Sequence, residues 1–262
     1  MSRDGDGASR DLRRGVPYGR TIVSNVTGSI LRNVHIRCSS PQFVVEQLDA
    51  VMNVLGYDRL RSADVVRDSS LSIESFLVSM LTGGWVSLYN DDLFLLEEVT
   101  RRLSFHCAAP CFYLWAEEGA AWGYSYYNNG SLRDEFCSAI DDLYEALFSS
   151  PPSDTERSKL LGSPTDLLAE LTVRTVSPDY VSKLFRIDRQ YAKGCMVKFA
   201  QIFGIQTAGR TFDSIWGLPD EEKFGKERFS FVRYLSRGVD GDDDETGQQE
   251  LRTDDVPAQP PR

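Results

Sequence analysis

Two hydrophobic rhythms alternate along the chain, one close to the 3.6-residue period of a helix and one at the two-residue period of a strand. Residues 34–38 read as a strand. Ser40 can then cap a helix that Pro41 opens, because proline suits the first helical position. Val44, Leu48, Val51 and Leu55 recur on one helical face, and Gly56 can end the helix. Strand-like stretches follow at 60–66 and 72–81. The order then repeats. Residues 85–89 form a strand, Asn90 or Asp91 caps a helix with Leu96, Val99 and Leu103 on one face, and 111–116 and 121–127 are the next strands. This is β-α-β-β written twice, with low residue identity between the two units.

The sharpest local signal is a three-stranded meander, CFYLW, AAWGYSYY and SLRDEF, within residues 111–136. Asn129-Gly130 predicts a type I′ turn, whose two central positions both need positive φ. Trp122, Tyr124 and Tyr126 fall on one face of the middle strand, and Gly123, Ser125 and Tyr127 on the other. Beyond residue 158 the period becomes helical. A short helix is expected at 165–171. Ser177-Pro178 opens another with Val181, Leu184 and Phe185, and Asp188 caps a third with Ala192, Met196, Phe199 and Phe203, closed by Gly204. TFDSIWGLP reads as a loop around a buried aromatic, and 228–235 as a closing strand.

These patterns predict an α+β fold, an antiparallel sheet built from the two β-α-β-β-like units and followed by a small helical region. The expected divisions are a disordered N-terminal segment (1–29), the α+β domain (30–148), a Ser/Pro-rich linker (149–158), a helical region packing on that domain (159–235) and a disordered acidic tail (236–262). Charge sharpens this division. The chain carries a formal net charge of −10, and residues 240–262 hold −6 of it. Such a balance argues against general nucleic-acid binding. The sequence shows no apolar run long enough for a membrane span and no signal-peptide pattern. Five cysteines at irregular spacing then read as reduced thiols in a cytoplasmic protein.

Candidate chemistry is sparse. His106, Cys107, Cys111 and Cys137 have metal-ligand chemistry but lack the short paired spacing of a zinc site, so neither metal nor cofactor is expected. A cysteine nucleophile would need His35 or His106 as its base, and no local motif joins them. Phosphate-cradling, dinucleotide and serine-elbow motifs are lacking. Carboxylates that could do acid–base work are Glu117 and Glu118 at the first hairpin turn, Asp134 and Glu135 on the third meander strand, and Asp141 and Asp142 after it.

Two binding surfaces are suggested. The ring-rich strands offer Tyr113, Tyr127, Trp115, Trp122, Tyr124 and Tyr126 as a protein interface; Trp115, Trp122, Tyr124, Tyr126 and Phe136 are alternatively core under the helices, and Tyr113 and Tyr127 lie on the opposite face, suited to a partner if exposed. The helical region is locally basic, with Lys183, Arg186, Arg189, Lys193 and Lys198 as an anionic-partner surface. Arg174 and Arg210 add to it.

GWVSLYNDD (84–92), WGYSYYNNGSLRDEF (122–136) and VSKLFRIDRQYAKGCMVKFAQIFGI (181–205) resemble an uncharacterised family of bacterial cytoplasmic α+β proteins over about half the chain. The resemblance implies an architecture and transfers no catalytic residue. The chain is also similar in style to immunity proteins that neutralise bacterial toxins. The leading expectation is therefore a non-enzymatic protein-binding module, immunity-type or regulatory. The alternatives are a nucleic-acid-associated regulator using the basic helices and an enzyme with a carboxylate or Cys–His site. Another protein is the expected partner and membrane is not.

Overall fold

The computed structural model describes residues 30–61, 72–90, 95–171, 175–219 and 229–237. The expected disordered ends (1–29 and the tail from 238), the part of the expected strand beyond residue 61, the cap Asp91 and Arg174 lie outside the described residues.

Eight strands form one sheet: β1 (Ile30–Arg37), β2 (Tyr57–Leu60), β3 (Ile73–Ser79), β4 (Trp85–Asn90), β5 (Pro110–Glu117), β6 (Ala121–Asn128), β7 (Ser131–Cys137) and β8 (Phe229–Ser236). Their spatial order is β2-β8-β3-β4-β1-β5-β6-β7, and every pairing is antiparallel. The fold is α+β, with the strands of the two expected units interleaved: β1 lies between β4 and β5. Helix α1 (Pro41–Val54) follows β1, and α2 (Leu96–His106) follows β4. Those two strands run in opposite senses, and their crossovers leave in opposite directions across the sheet. Right-handed connection therefore lays both helices on the same face. There they close a core with Val34, Ile36, Phe76, Val86, Leu88, Tyr113 and Tyr234.

Local chemistry explains most boundaries. The Ser40 side chain accepts from the Phe43 N–H, Pro41 opens α1, and Gly56 takes φ 88° just past its end. The β6–β7 turn holds Asn129 at φ 52° and Gly130 at φ 76°, as the type I′ geometry requires. Asn90 does not cap α2. It ends β4, buried, with its amide donating to Glu74 and to the Ser75 carbonyl. The N-cap position is Leu95, which makes no side-chain cap bond, and Glu97 and Glu98 supply negative charge to the first turn instead.

The second half of the chain adds α3 (Ile140–Phe148), α4 (Asp154–Lys159), α5 (Pro164–Glu170), α6 (Pro178–Phe185), a 3-10 turn (Arg189–Tyr191), α7 (Ala192–Ile202) and α8 (Phe212–Trp216). Helices α5 to α8 cover the opposite face, while Ile140, Leu143 and Tyr144 of α3 cluster with Cys137, Leu160 and Trp115 on the side of α1 and α2. The expected linker holds structure: Ser153 and Glu156 form a capping box that starts α4. Asp188 caps the 3-10 turn, and Gly204 follows α7 at φ 84°. TFDSIWGLP is partly helical, and its buried residue is Ile215, while Trp216 stays exposed. Among the described residues no helix is long and apolar enough to cross a membrane.

Helix α7 puts Met196, Phe199 and Ala200 onto Phe112, Trp122 and Tyr124. The sheet is thus buried on both faces. Trp122, Tyr124 and Tyr126 are core, so they take the alternative place under the helices and not the interface. Tyr113 and Tyr127 are buried too, under α2, and offer no free docking face. Trp115 is partly buried and lies over Gly123 of the neighbouring strand. A Cβ at position 123 would sit 2.4 Å from the Phe136 carbonyl oxygen and 2.6 Å from Trp115 Cζ2. Gly123→Ala is therefore expected to cost about 1–3 kcal/mol by overpacking. Urea unfolding checks this, and an unchanged midpoint would contradict it.

Candidate functional site

One open cleft lies where the β7 end meets α3, α4 and α6. Past Glu135 the outer edge of β7 is covered: Phe136 bridges to Leu161, and the Cys137 N–H donates to the Leu160 carbonyl at 3.0 Å. Phe185 of α6 stacks on Phe136 with ring centroids 3.9 Å apart. These contacts make an apolar floor, to which half-exposed Leu161 adds. Arg157 from α4, Arg186 just after α6, and Arg189 from the 3-10 turn stand around it, enclosing about 390 Å³.

The arginines are held unequally. Arg157 forks onto Asp141, with Nη1 donating to Oδ2 at 2.9 Å. Arg189 pairs with Asp142. Both acids stand in the first turn of α3, whose N-terminus has no side-chain cap. Arg157 holds the Asp141 carboxyl below its usual range, first by hydrogen bonding and then by charge. Both pairs are exposed, and exposed pairs are screened by water and hold weakly. An incoming carboxylate can replace those acids at little cost. Arg186 forms no ion pair among the described residues.

Of the five residues read as an anionic-partner surface, the structure brings together Arg186 and Arg189. Lys183, Lys193 and Lys198 do not line the cleft. Arg157 was missed because it lies in the supposed linker. The Ser153-x-x-Glu156 pattern was the signal that would have placed it on a helix. Helix α7 turns its apolar side to the sheet, where its buried residues pack.

The carboxylates regroup in a way their sequence neighbours do not suggest. Asp134 and Glu135 point to opposite faces of β7. Asp134 accepts from Tyr124 Oη at 2.7 Å. Glu135 lies beside Ser125 on the other face, where Glu97 of α2 also arrives. Burial raises Glu97 to about 7 and, with the Glu97 charge adding, Glu135 to about 8. Strand alternation could have separated Asp134 from Glu135; nothing local announced Glu97. Glu117 ends β5, buried, while Glu118 stays exposed.

The cysteine and histidine candidates disperse. Cys38, Cys107 and Cys111 pack with the α1/α2 core, and Cys137 belongs to a separate cluster with Ile140 and Leu143. Burial pushes all four thiols up, away from nucleophilic thiolates. His35 bonds Ser87 and Asn33, and burial lowers it to about 3. Among the described residues no three His, Cys, Asp or Glu side chains are placed to hold a metal ion.

No protein-family model, no curated protein and no solved structure matches the chain.

Proposed function

We propose that the chain is a non-enzymatic protein-binding module whose docking site is the arginine cleft, and that the cleft takes an acidic segment of a partner protein. The observation that carries this reading is the gathering of Arg157, Arg186 and Arg189 over an apolar floor in a chain of net charge −10. Guanidinium groups suit bidentate capture of carboxylates. Half-exposed Leu161 and partly buried Phe185, with Phe136 buried beneath them, give the apolar part of such a segment a surface to cover. Duplex nucleic acid, whose bases are paired inside the phosphate backbone, would leave that floor wet, and single-stranded DNA, whose bases can stack on aromatic rings, is the competitor the test includes. Capture of this kind needs no reaction centre and fits an immunity-type or regulatory role.

The test is fluorescence anisotropy with a labelled peptide of alternating Glu and Leu, beside a Gln/Leu peptide and a single-stranded DNA of equal length. The acidic peptide is expected to bind, and the Arg186→Glu/Arg189→Glu variant to bind it at least about tenfold more weakly, since charge-assisted hydrogen bonds contribute about 1.5–3 kcal/mol each. Equal binding of the Gln peptide, tighter binding of DNA, or a variant as good as the parent would each overturn the assignment.

A further inference from the structure

The second polar constellation lies on the other face of β7. Ser125 Oγ sits 3.3 Å from Glu97 Oε1 and 3.1 Å from Glu135 Oε1. Tyr127 Oη donates to the same Glu97 oxygen at 3.0 Å. Ser125 has one hydroxyl proton and two carboxyl neighbours. If both carboxyls are ionised, one of these contacts is two acceptors face to face. If Glu135 is protonated, its O–H donates to Ser125 Oγ, whose proton is then free for Glu97. Every position is filled when the pair holds one proton.

The surroundings favour keeping that proton. Arg32 on β1 and Lys159 at the end of α4 act on the pair from outside, lowering Glu97 and Glu135 respectively. Glu98 of α2 raises Glu97, and Asp134 raises Glu135. Tyr113, Tyr127, Cys137 and Tyr144 face the same carboxyls and are all pushed up, first by burial. Arg101 of α2 spends its guanidinium on Glu98.

β7 is the last strand of the sheet, and its first three side chains are exposed. Beyond its ladder with β6, the Glu135–Ser125–Glu97 chain ties it to α2. We propose that this chain is a proton-operated latch, which fastens edge strand β7 to β6 and α2 while the pair holds a proton and releases when both carboxyls ionise. β7 runs on into Phe136 and Cys137 of the arginine cleft, so release loosens one wall of that cleft. The latch itself does not depend on what the cleft binds.

The sign follows from the pair. Both carboxyls are raised in the folded chain above the ordinary glutamate value, so the closed form binds more protons than the open one. Stability of the latch is full at low pH and is lost as pH rises through about 7 and about 8. Hydrogen exchange of the full chain, with no ligand present, reads this directly. Protection of the β7 amides is expected to fall about tenfold or more between pH 7 and pH 9, after correction for intrinsic exchange. Glu135→Gln, whose amide donates to Ser125 at any pH, should keep its protection, and Glu97→Gln should lose much of the pH response. Wild-type protection that is equal at the two pH values, or a Glu135→Gln chain that loosens as the parent does, would overturn the latch. So would a carboxyl-carbon NMR titration with both glutamates ionising below pH 6.

Discussion

Phe199→Ala is expected to destabilise the chain by about 3–5 kcal/mol, the range for emptying a buried aromatic site. Phe199 is fully buried. Its ring stacks on Tyr124 with centroids 4.5 Å apart, and meets Phe203 at 5.1 Å, Trp122 at 5.5 Å, Phe112 at 5.9 Å and Phe185 at 6.0 Å. The ring thus lies between α7, the sheet and α6. Around a truncated site the sheet side chains cannot collapse inward, because β5 and β6 are fixed by their ladders on both sides. Phe185 rests on Phe199 from one side and floors the arginine cleft with Phe136 on the other, so the variant should also loosen the cleft. Urea unfolding measures the loss, and Phe199→Leu should recover part of it. A cost under about 1 kcal/mol would mean that α7 does not hold the second face, and the three-layer architecture would need rethinking.

That packing also explains what the sequence showed and what it hid. Signals held within a few residues were legible. Ser40-Pro41, Ser177-Pro178 and Asn129-Gly130 each act through backbone conformation and adjacent hydrogen bonds, and each sits where expected. Alternation in 122–127 correctly assigned side chains to two faces. It could not say that both faces would be covered. Tyr113 and Tyr127 are buried by α2, and Trp122 and Tyr124 by α6 and α7, which arrive more than fifty residues later. The insertion of β8 between β2 and β3 is likewise a long-range pairing with no local mark. The candidate site was legible in half. Arg186 and Arg189 drew notice as part of a basic stretch. Arg157 reaches them through a capping box that a linker reading passed over. Glu97 joins Glu135 only because α2 crosses β6 and β7.

A second large effect is expected at Asn33, where a buried relay joins the sheet to the segment after α7. Asn33 Nδ2 donates to the Ala208 carbonyl at 2.8 Å and to that of Arg210 at 3.2 Å. Its Oδ1 therefore faces His35, so His35 Nε2 carries the ring proton and donates to it at 2.7 Å. His35 Nδ1 then accepts from Ser87 Oγ at 2.7 Å, and Ser87 accepts from Thr207 Oγ1 at 2.7 Å. Each proton in the relay has one direction. Asn33→Ala strands an imidazole N–H and the Ala208 carbonyl in the core and frees the half-buried Arg210 carbonyl, and unpaired buried groups cost about 1–3 kcal/mol each. A loss of about 3 kcal/mol or more in urea unfolding is expected. The relay also sets an acid limb. Burial holds His35 neutral down to about pH 3, far below its ordinary value of 6.5, so the unfolded chain gains a proton that the folded chain refuses. Stability from this residue is intact above about pH 6.5 and falls by about 1.4 kcal/mol per unit as pH drops toward 3. Glu97 and Glu135 pull the other way below neutrality, so the limb is best read in the Glu97→Gln/Glu135→Gln background. Asn33→Asp separates the two roles. Its carboxylate still accepts from His35 and should raise the imidazole toward neutrality, while it faces the Ala208 and Arg210 carbonyls with no proton to give. A variant as stable as the parent at pH 7, with an unmoved acid limb, would show that neither role is real.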